Sequence, residues 1–559
     1  MRKARQTAIH FSTLAILLIS LLSQPGSTMA KQQSSDVTGW VRFTPSVIWC
    51  GDTVKAEFHA VGSNNLVNDI VRVDLYDNWF TTKAVLYDHG LNGDLVAGDK
   101  VFTAENVQSN CKSFAVNYVN GLAGTVPFSA DVWLNETHNP RILPRVNNVL
   151  GIEYELGVVD PSLKGVFQVH DFGNGLTATS HAFFIEDSQH EVMDNYPVAN
   201  VYCGTSNFNA YRKLYSVLPD AFDFASVMPG LKIYKPQTFQ ENVPYSAMAS
   251  NAVRQIGVRV FDNSAKFGSA GRLKTTIYHS FGSIAIMDHE IGHTWGVNIG
   301  SSLGLIDQGG HHFVNLSDLG GQLGAYYLSP GYFDNPTVVD PSRRAGHFAD
   351  NGDGTWRLIP NTEIVAYSPL ELYVMGLIPA GEVPPIHILE SPDLTDIEHI
   401  TAKSVRTITI EDIIRVEGGE RTPSVAESQK DFSMAFIVTQ DVAYNDAAYA
   451  FFSVLSMELM SKGGPDKRTT NAPFYWATGG RATLNTRLPI DLPEPAFPQA
   501  TASALPPTEA FASTPTESPP TPESKPSEQS APSGLGCATL PAVLALSVSG
   551  LTWRRKRNK

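Results

Sequence analysis

The sequence predicts an α+β protein in which an all-β module precedes a larger domain of mixed helices and strands. Residues 37–145 alternate apolar and polar side chains with a period of two, which is typical of strands with one buried face. Residues 150–488 combine helical spacing with short apolar runs. The chain has 559 residues, several times the roughly 150 usual for one domain, so more than one folded unit is expected.

Composition argues against two broad classes of protein. Hydrophobic residues make up 42% of the chain and charged residues 17%, which is too apolar for a mostly disordered protein. The 41 Lys and Arg residues are outnumbered by 55 Asp and Glu, for a net charge of -14. An acidic chain of this kind disfavours nucleic acid as a partner.

The first module has the pattern of a small β-sandwich. The run VKAEFHA at 54–60 alternates strictly, and further runs of this kind are separated by Gly, Asn and Asp turns. The segment LYDHGLNGDLVAGDKVFT at 86–103 resembles a signature of immunoglobulin-like modules on bacterial exported proteins. Asp88, Asp94 and Asp99 offer oxygen ligands for calcium there, although Asp-Gly turns form without metal.

Local patterns place several elements in the second domain. Phe208, Tyr211, Tyr215 and Leu218 follow helical spacing, and the segments FDFASVM, IGVRV and LKTTIYHSF have strand character. Asp446 is expected to cap a later helix that carries apolar residues at 449, 452 and 455. The segment DNGDGTW at 350–356 fits a hairpin turn better than a calcium-binding loop.

Both ends of the chain have export signals. Residues 1–30 combine a basic start, an apolar stretch and a small-residue cleavage site, as in a signal peptide. Residues 489–533 hold 12 of the 36 prolines and are expected to form an extended linker. Residues 534–559 run from Gly-Leu-Gly-Cys through an apolar stretch to a basic cluster, resembling a tripartite C-terminal sorting signal of bacterial surface proteins. We expect an exported protein at the cell surface, in the envelope or outside the cell, tethered at least transiently to a membrane by this C-terminal helix.

Cysteines are few, at positions 50, 111, 203 and 537. In an oxidising compartment, Cys50 and Cys111 are expected to form a disulfide within the first module. Cys203 has the surroundings of a small buried residue and no pattern of a nucleophile.

The segment IMDHEIGHTWG at 286–296 carries the strongest chemical signal. On a helix, His289 and His293 lie one turn apart on the same face, so their imidazoles can bind one ion. Zinc accepts nitrogen ligands and keeps an open position for water. Glu290 then lies beside that water and serves as the general base, as in the H-E-x-x-H pattern of metalloproteases.

A catalytic zinc site normally has three protein ligands, so a third must come from elsewhere. His311 is the preferred candidate, because Gly309 and Gly310 let the chain fold back towards the helix. The alternatives are His312, Glu371 in a second helix, and Asp307.

Seven blocks of sequence together resemble a group of bacterial secreted zincin-like proteins. These blocks are LYSVLPDAFDF, FDNSAKFGSAGRL, DHEIGHTWG, GGHHF, DNGDGTW, YSPLELYVMGLIPAGEVPP and FYWATGGRATLNTRL. The resemblance covers about residues 200–490 and implies a zincin-like metallopeptidase domain. It aligns His289, Glu290 and His293 with the zinc motif and His311 with a histidine of that group, where His312 replaces a tryptophan. The position that holds the third histidine in the long metzincin motif is Ile299 here.

We therefore expect a secreted or surface-tethered zinc peptidase that acts on protein or peptide substrates. In a zincin, the strand that precedes the metal helix, around residues 272–280, is expected to be the sheet edge that pairs with an extended peptide. The main alternative is a surface adhesin or binding protein whose zincin fold holds metal without catalysis. A metal-dependent hydrolase of non-peptide bonds is a further alternative without a supporting sequence signal.

Overall fold

The structure is a computed structural model. It describes residues 38–61, 67–77, 82–108, 116–118, 122–134, 139–143, 154–189, 191–192, 208–230, 245–278, 287–296, 298–307, 312–314, 316–324, 346–360, 366–462 and 473–496. The expected signal peptide, the sorting segment and most of the linker lie outside these residues.

The described residues of the first module form ten strands in two sheets. The strands are β1 (Thr38–Thr44), β2 (Val47–Trp49), β3 (Thr53–Val61), β4 (Ile70–Asp77), β5 (Thr82–Leu86), β6 (Val101–Gln108), β7 (Val116–Tyr118), β8 (Ala123–Leu134), β9 (Asn139–Leu143) and β10 (Tyr154–Val159). One sheet has the order β1-β3-β6, and the other has the order β2-β10-β8-β4-β5 with β7 and β9 also paired to β8. Strand β10 therefore joins the first module, although it follows the expected boundary at 145–150.

The two sheets pack on a shared apolar core. In β3, Val54, Ala56 and Phe58 are buried, which confirms the alternation expected for this strand. Phe43 of the smaller sheet contacts Phe128 of the larger one, with ring centroids 4.8 Å apart. Cys50 is disulfide-bonded, and the other three cysteines of the chain lie outside the described residues.

The second domain contains fourteen strands and six helices among the described residues. The strands are β11 (His170–Gly173), β12 (Leu176–Ala178), β13 (Phe183–Glu186), β14 (Phe224–Pro229), β15 (Tyr245–Met248), β16 (Ser250–Asn251), β17 (Phe261–Asp262), β18 (Thr275–Tyr278), β19 (Gly346–Asp350), β20 (Trp356–Pro360), β21 (Ile386–Asp393), β22 (Thr401–Ile408), β23 (Asp431–Gln440) and β24 (Thr483–Asn485). The helices are α1 (Phe208–Val217), α2 (Met287–Gly292), α3 (Pro369–Met375), α4 (Ile410–Glu417), α5 (Asp446–Leu459) and α6 (Phe474–Ala477).

An eight-stranded sheet organises this domain. Its order is β11-β12-β13-β23-β14-β18-β15, with β24 also paired to β23. The four central strands β13, β23, β14 and β18 run parallel, whereas β15 is antiparallel to β18 and is the last strand on that side among the described residues. Strands β19 and β20 form a separate hairpin around residues 351–355, which confirms the turn expected there.

Several expected elements are confirmed and two are corrected. Helix α1 and strands β14 and β18 occur where the sequence predicted them. The segment IGVRV at 256–260 is not a strand, because Gly257 adopts a left-handed backbone with φ of 74°. The side-chain amide of Asn251 also donates to the carbonyls of Val258 and Arg259, which holds this segment as a loop. Helix α5 is capped by Asn445, one residue before the expected Asp446.

Helix α5 connects the two parts of the described structure. It is apolar around most of its circumference, as expected for a helix that is buried on all sides. One side contacts strands β2, β8 and β10 of the first module, and the buried residues Val47, Ala123 and Val159 share its core cluster. The side-chain amide of Asn445 also donates to the carbonyl of Val47 at 3.0 Å. The two parts therefore share one continuous core through this helix.

The described structure is a mixed α+β protein with many strands and few helices, in agreement with the expected class. None of the helices in the described residues has both the length and the apolar character needed to cross a bilayer.

We predict that Phe452→Ala in α5 lowers the free energy of unfolding by about 3–5 kcal/mol, because it leaves a cavity beside fully buried aromatic rings. Urea denaturation of the full chain measures this change. Val442→Ala, at a residue that is 44% exposed, is the control and should change stability by less than about 0.5 kcal/mol. Equal stability of the two variants would contradict the role given to α5.

Candidate metal centre

Helix α2 presents two histidines on one face. His289 lies inside the helix, and the backbone N–H of His293 donates to the carbonyl of His289 at 3.3 Å, so helical geometry continues to His293. Their imidazole rings lie 4.8 Å apart between centroids. The helix is fixed in the core by buried Met287 and Ile291. The expected pairing of these two histidines is therefore present in the structure.

A third imidazole reaches this pair from the loop after α2. His312 makes two hydrogen bonds with Asp307: the backbone N–H of Asp307 donates to the His312 carbonyl at 2.9 Å, and the backbone N–H of His312 donates to Oδ1 of Asp307 at 3.4 Å. The next residue, Phe313, is buried and donates its N–H to the carbonyl of Leu323 at 2.9 Å. The loop therefore positions His312 through its own backbone and through the residue that follows it.

The three imidazoles converge through the same ring nitrogen. Nε2 of His289 lies 3.1 Å from Nε2 of His293 and 3.1 Å from Nε2 of His312. All three residues offer a ligand atom within 4.8 Å of the others. Zinc–nitrogen bonds of about 2.0–2.1 Å at a tetrahedral angle place two ligand nitrogens about 3.3 Å apart. The two distances from His289 are close to this spacing, so the three histidines form a possible metal-binding group.

The protonation state of His289 also fits metal binding. Its Nδ1 donates to the carbonyl of Gln322 at 2.6 Å, so Nε2 carries the lone pair in the neutral ring. Burial lowers the pKa of His289 to about 4, and nearby His312 contributes to the shift. A neutral imidazole with its lone pair directed at two other imidazoles is suited to bind a cation.

Glu290 follows His289 in helix α2, and the residue is almost completely buried, at 3% exposure. The side chain of Ser246, in the edge strand β15, hydrogen-bonds to this carboxyl group. Oε2 of Glu290 has no hydrogen-bond partner among the described residues. Burial raises the pKa of Glu290 to about 8, although the bond to Ser246 acts in the opposite direction. An oxygen of Glu290 is therefore available to a group that enters the site.

Glu371, one of the alternative third ligands, makes a different set of contacts. It belongs to the capping box of α3, where its carboxylate accepts the N–H of Ser368 at 2.5 Å. The same carboxylate accepts the N–H of Leu323 at 2.5 Å and that of Gln322 at 3.2 Å. Burial raises the pKa of Glu371 to about 7, and these backbone N–H bonds oppose that rise. Its oxygens are thus occupied by backbone groups beside the histidine cluster.

The remaining positions considered for the third ligand are not among the converging side chains of the described residues. His311, the preferred third ligand in the sequence analysis, lies outside the described residues. Asp307 supports the backbone of His312, and its Oδ2 lies 3.9 Å from Nδ1 of that histidine. Ile299 is fully buried in the apolar core.

Three contributors to the site were not found from the sequence. Gln322 acts through its backbone carbonyl, which carries no signal of residue type. Tyr367 donates its hydroxyl to the carbonyl of Asp288 at 2.5 Å, and Ser246 reaches Glu290 from a distant strand. Tyr367 does begin the YSPLEL block, so the resemblance marked its segment without giving its role.

The acidic loop of the first module also brings its carboxylates together. Asp88, Asp94 and Asp99 offer oxygens within 4.8 Å of one another. Asp94 is buried and accepts backbone N–H bonds from His89 and Gly90 at 2.6 Å each. Asp88 and Asp99 also accept backbone N–H groups of the loop. These bonds assign the carboxylates a role in shaping the turn, and calcium binding here stays a prediction.

Comparison with known proteins identifies no relative. No protein family, curated protein or solved structure matches the chain at a significant level.

We predict that His312→Ala sharply reduces the amount of zinc that copurifies with the protein, because it removes one of three converging nitrogens. Metal analysis by mass spectrometry measures the zinc content per chain. The matched control is His311→Ala, the neighbouring histidine, which should keep about one zinc per chain. If His311→Ala loses the metal and His312→Ala keeps it, the assignment of the third ligand is wrong.

Proposed function

We propose that the protein is a zinc-dependent peptidase. The observation that carries this proposal is the convergence of His289, His293 and His312, together with buried Glu290 in the same helix, whose Oε2 has no hydrogen-bond partner among the described residues. Three neutral ligands and an adjacent carboxylate are the parts that zinc-assisted hydrolysis requires. A structural zinc site, by contrast, is usually closed by four protein ligands.

The proposed mechanism assigns distinct roles to the ligands and to Glu290. A bound zinc ion would acidify a water molecule and polarise the scissile carbonyl. Glu290 accepts the proton of the attacking water and later returns it to the leaving amine. The hydrogen bond with Ser246 holds the carboxyl group, and Oε2 keeps no hydrogen-bond partner among the described residues, so it is assigned the proton transfer.

The sheet edge supports a peptide as the substrate. The sequence predicted β18, the strand before α2, to be the edge that pairs with a peptide. In the structure β15 pairs with the outer side of β18 instead. Strand β15 is antiparallel to β18, contacts α2, and carries Ser246. An extended peptide could add to such an edge through main-chain hydrogen bonds while its carbonyl lies near Glu290.

The architecture supports a zincin-like fold for the second domain. The observations that support it are a largely parallel sheet, an antiparallel strand β15 at one side of that sheet, and a helix with H-E-x-x-H that follows β18. In the first module, two antiparallel-rich sheets that share one core support an immunoglobulin-like sandwich. Export and surface tethering are proposed from the sequence of the two ends alone.

We predict that Glu290→Gln abolishes peptide cleavage while about one zinc per chain remains, because Glu290 transfers protons and is not a ligand. Activity is measured with a broad peptide library, and zinc is measured on the same preparation. His289→Ala is the comparison, since it should lose both metal and activity.

Two results would count against this mechanism. Full activity of Glu290→Gln would remove the general base. A wild-type protein that holds one zinc, but cleaves no member of the library, would favour the alternative of a binding protein with a non-catalytic metal.

We also predict that truncation after Pro532 releases folded protein into the medium. The removed segment contains the apolar stretch and the basic cluster that are expected to halt export. Cell fractionation with an antibody to the second domain measures the distribution. A full chain and a truncated chain with the same fractionation would show that the tail is not the anchor.

A further inference from the structure

The carbonyl that orients His289 belongs to a loop that is fastened at both ends. At its start, the carboxylate of Asp318 accepts two hydrogen bonds from His387. One comes from the backbone N–H at 2.8 Å and the other from Nδ1 of the imidazole ring at 2.7 Å. At its end, the carboxylate of Glu371 accepts the N–H groups of Gln322 and Leu323. We call residues 318–323 the bracket loop. It presents the Gln322 carbonyl to Nδ1 of His289.

The backbone of the bracket loop fits closely against Glu371. Gly320 and Gly321 both adopt left-handed conformations, with φ of 57° and 86°. A Cβ atom at position 321 would overlap Oε2 of Glu371. Glycine is therefore required at 321 both for its backbone angle and for the close approach of the carboxylate.

We propose that Glu371 is a positioning residue for the metal ligand His289, acting through the bracket loop. Glu371 fixes the N–H of Gln322, the carbonyl of the same residue fixes Nδ1 of His289, and Nε2 is thereby directed to the metal. This proposal rests on the proposed zinc site and adds a residue that controls its affinity without touching the ion. Groups behind metal-binding histidines typically change metal affinity by about 10–100-fold when they are altered.

The chemistry of the contact explains why a carboxylate is needed. Both oxygens of Glu371 accept hydrogen bonds from backbone N–H groups, three in total. A glutamine of the same shape has one accepting oxygen, and its amide nitrogen would face an N–H donor. Glu371→Gln should therefore loosen the bracket loop while the size of the side chain is kept.

The test measures zinc affinity of the full chain by competition with a chromophoric chelator, together with the absorption spectrum of the cobalt-substituted protein. We expect Glu371→Gln to bind zinc about tenfold or more weakly, with an altered cobalt spectrum, but to reach one zinc per chain in excess metal. The matched control is Asp412→Asn. Asp412 closes the equivalent capping box at the start of α4 and makes no described contact with the bracket loop. It should leave both measurements unchanged.

A second pair of variants approaches the same contact from the loop. Gly321→Ala should also weaken zinc binding, because its methyl group displaces the carboxylate. Gly354→Ala, at a glycine with a similar positive φ of 89° and open space around it, controls for the backbone strain alone.

The outcomes separate this proposal from the proposed function. If wild type binds no zinc, the metal site itself is wrong and the proposal falls with it. If wild type binds zinc and both Glu371→Gln and Gly321→Ala keep its affinity and cobalt spectrum, Glu371 does not position the site. Loss of all zinc from Glu371→Gln in excess metal would instead make Glu371 a direct ligand and would also overturn the proposal.

Discussion

The hydrogen bond from Nδ1 of His289 to the carbonyl of Gln322 is the interaction on which the candidate site depends. It links the short helix α2 to a loop residue that lies 33 positions later in the chain. It also decides which ring nitrogen carries the lone pair, because a carbonyl can only accept. With the other tautomer, Nε2 would carry a proton and the three imidazoles could not bind one cation. The chain is also tightly packed next to this bond. A Cβ atom at Gly296 would overlap the side chain of Leu323, the residue that follows Gln322.

The site is supported by a core that extends beyond the second domain. Helix α5 packs between the eight-stranded sheet and the first module, and its apolar residues contribute to one large cluster with residues of α2 and α3. The first module therefore contributes to the core around the site, because part of its larger sheet covers this helix. Removing the module would expose an apolar surface to water, at a cost that scales with the area uncovered. In this account the module stabilises the fold that carries the site.

The sequence predicted local features well and long-range contacts poorly. The H-E-x-x-H spacing places His289 and His293 together by helix geometry alone, and the alternation in β3 follows from burial of one face. By contrast, the identity of the third imidazole depends on how the loop after α2 folds. Spacing in the sequence cannot distinguish between the adjacent residues His311 and His312. Glu371 could be chosen as an acidic candidate, but its orientation towards backbone N–H groups follows from a capping box and from a loop 48–49 residues away. The edge strand was misplaced for the same reason, because residues of β15 pair with residues of β18 that lie 27–33 positions later in the chain, and no local pattern predicts this pairing.

The central claim is a zinc ion bound by three histidines with an open position for water. X-ray absorption spectroscopy at the zinc edge, on the full chain loaded with one equivalent of zinc, tests this claim most directly. The account predicts four or five nitrogen and oxygen neighbours at about 2.0–2.1 Å, with the outer-shell scattering of three imidazoles. Three results would contradict it: a zinc ion bound by two imidazoles and a carboxylate, a zinc ion with sulfur neighbours, or a zinc ion bound only by water.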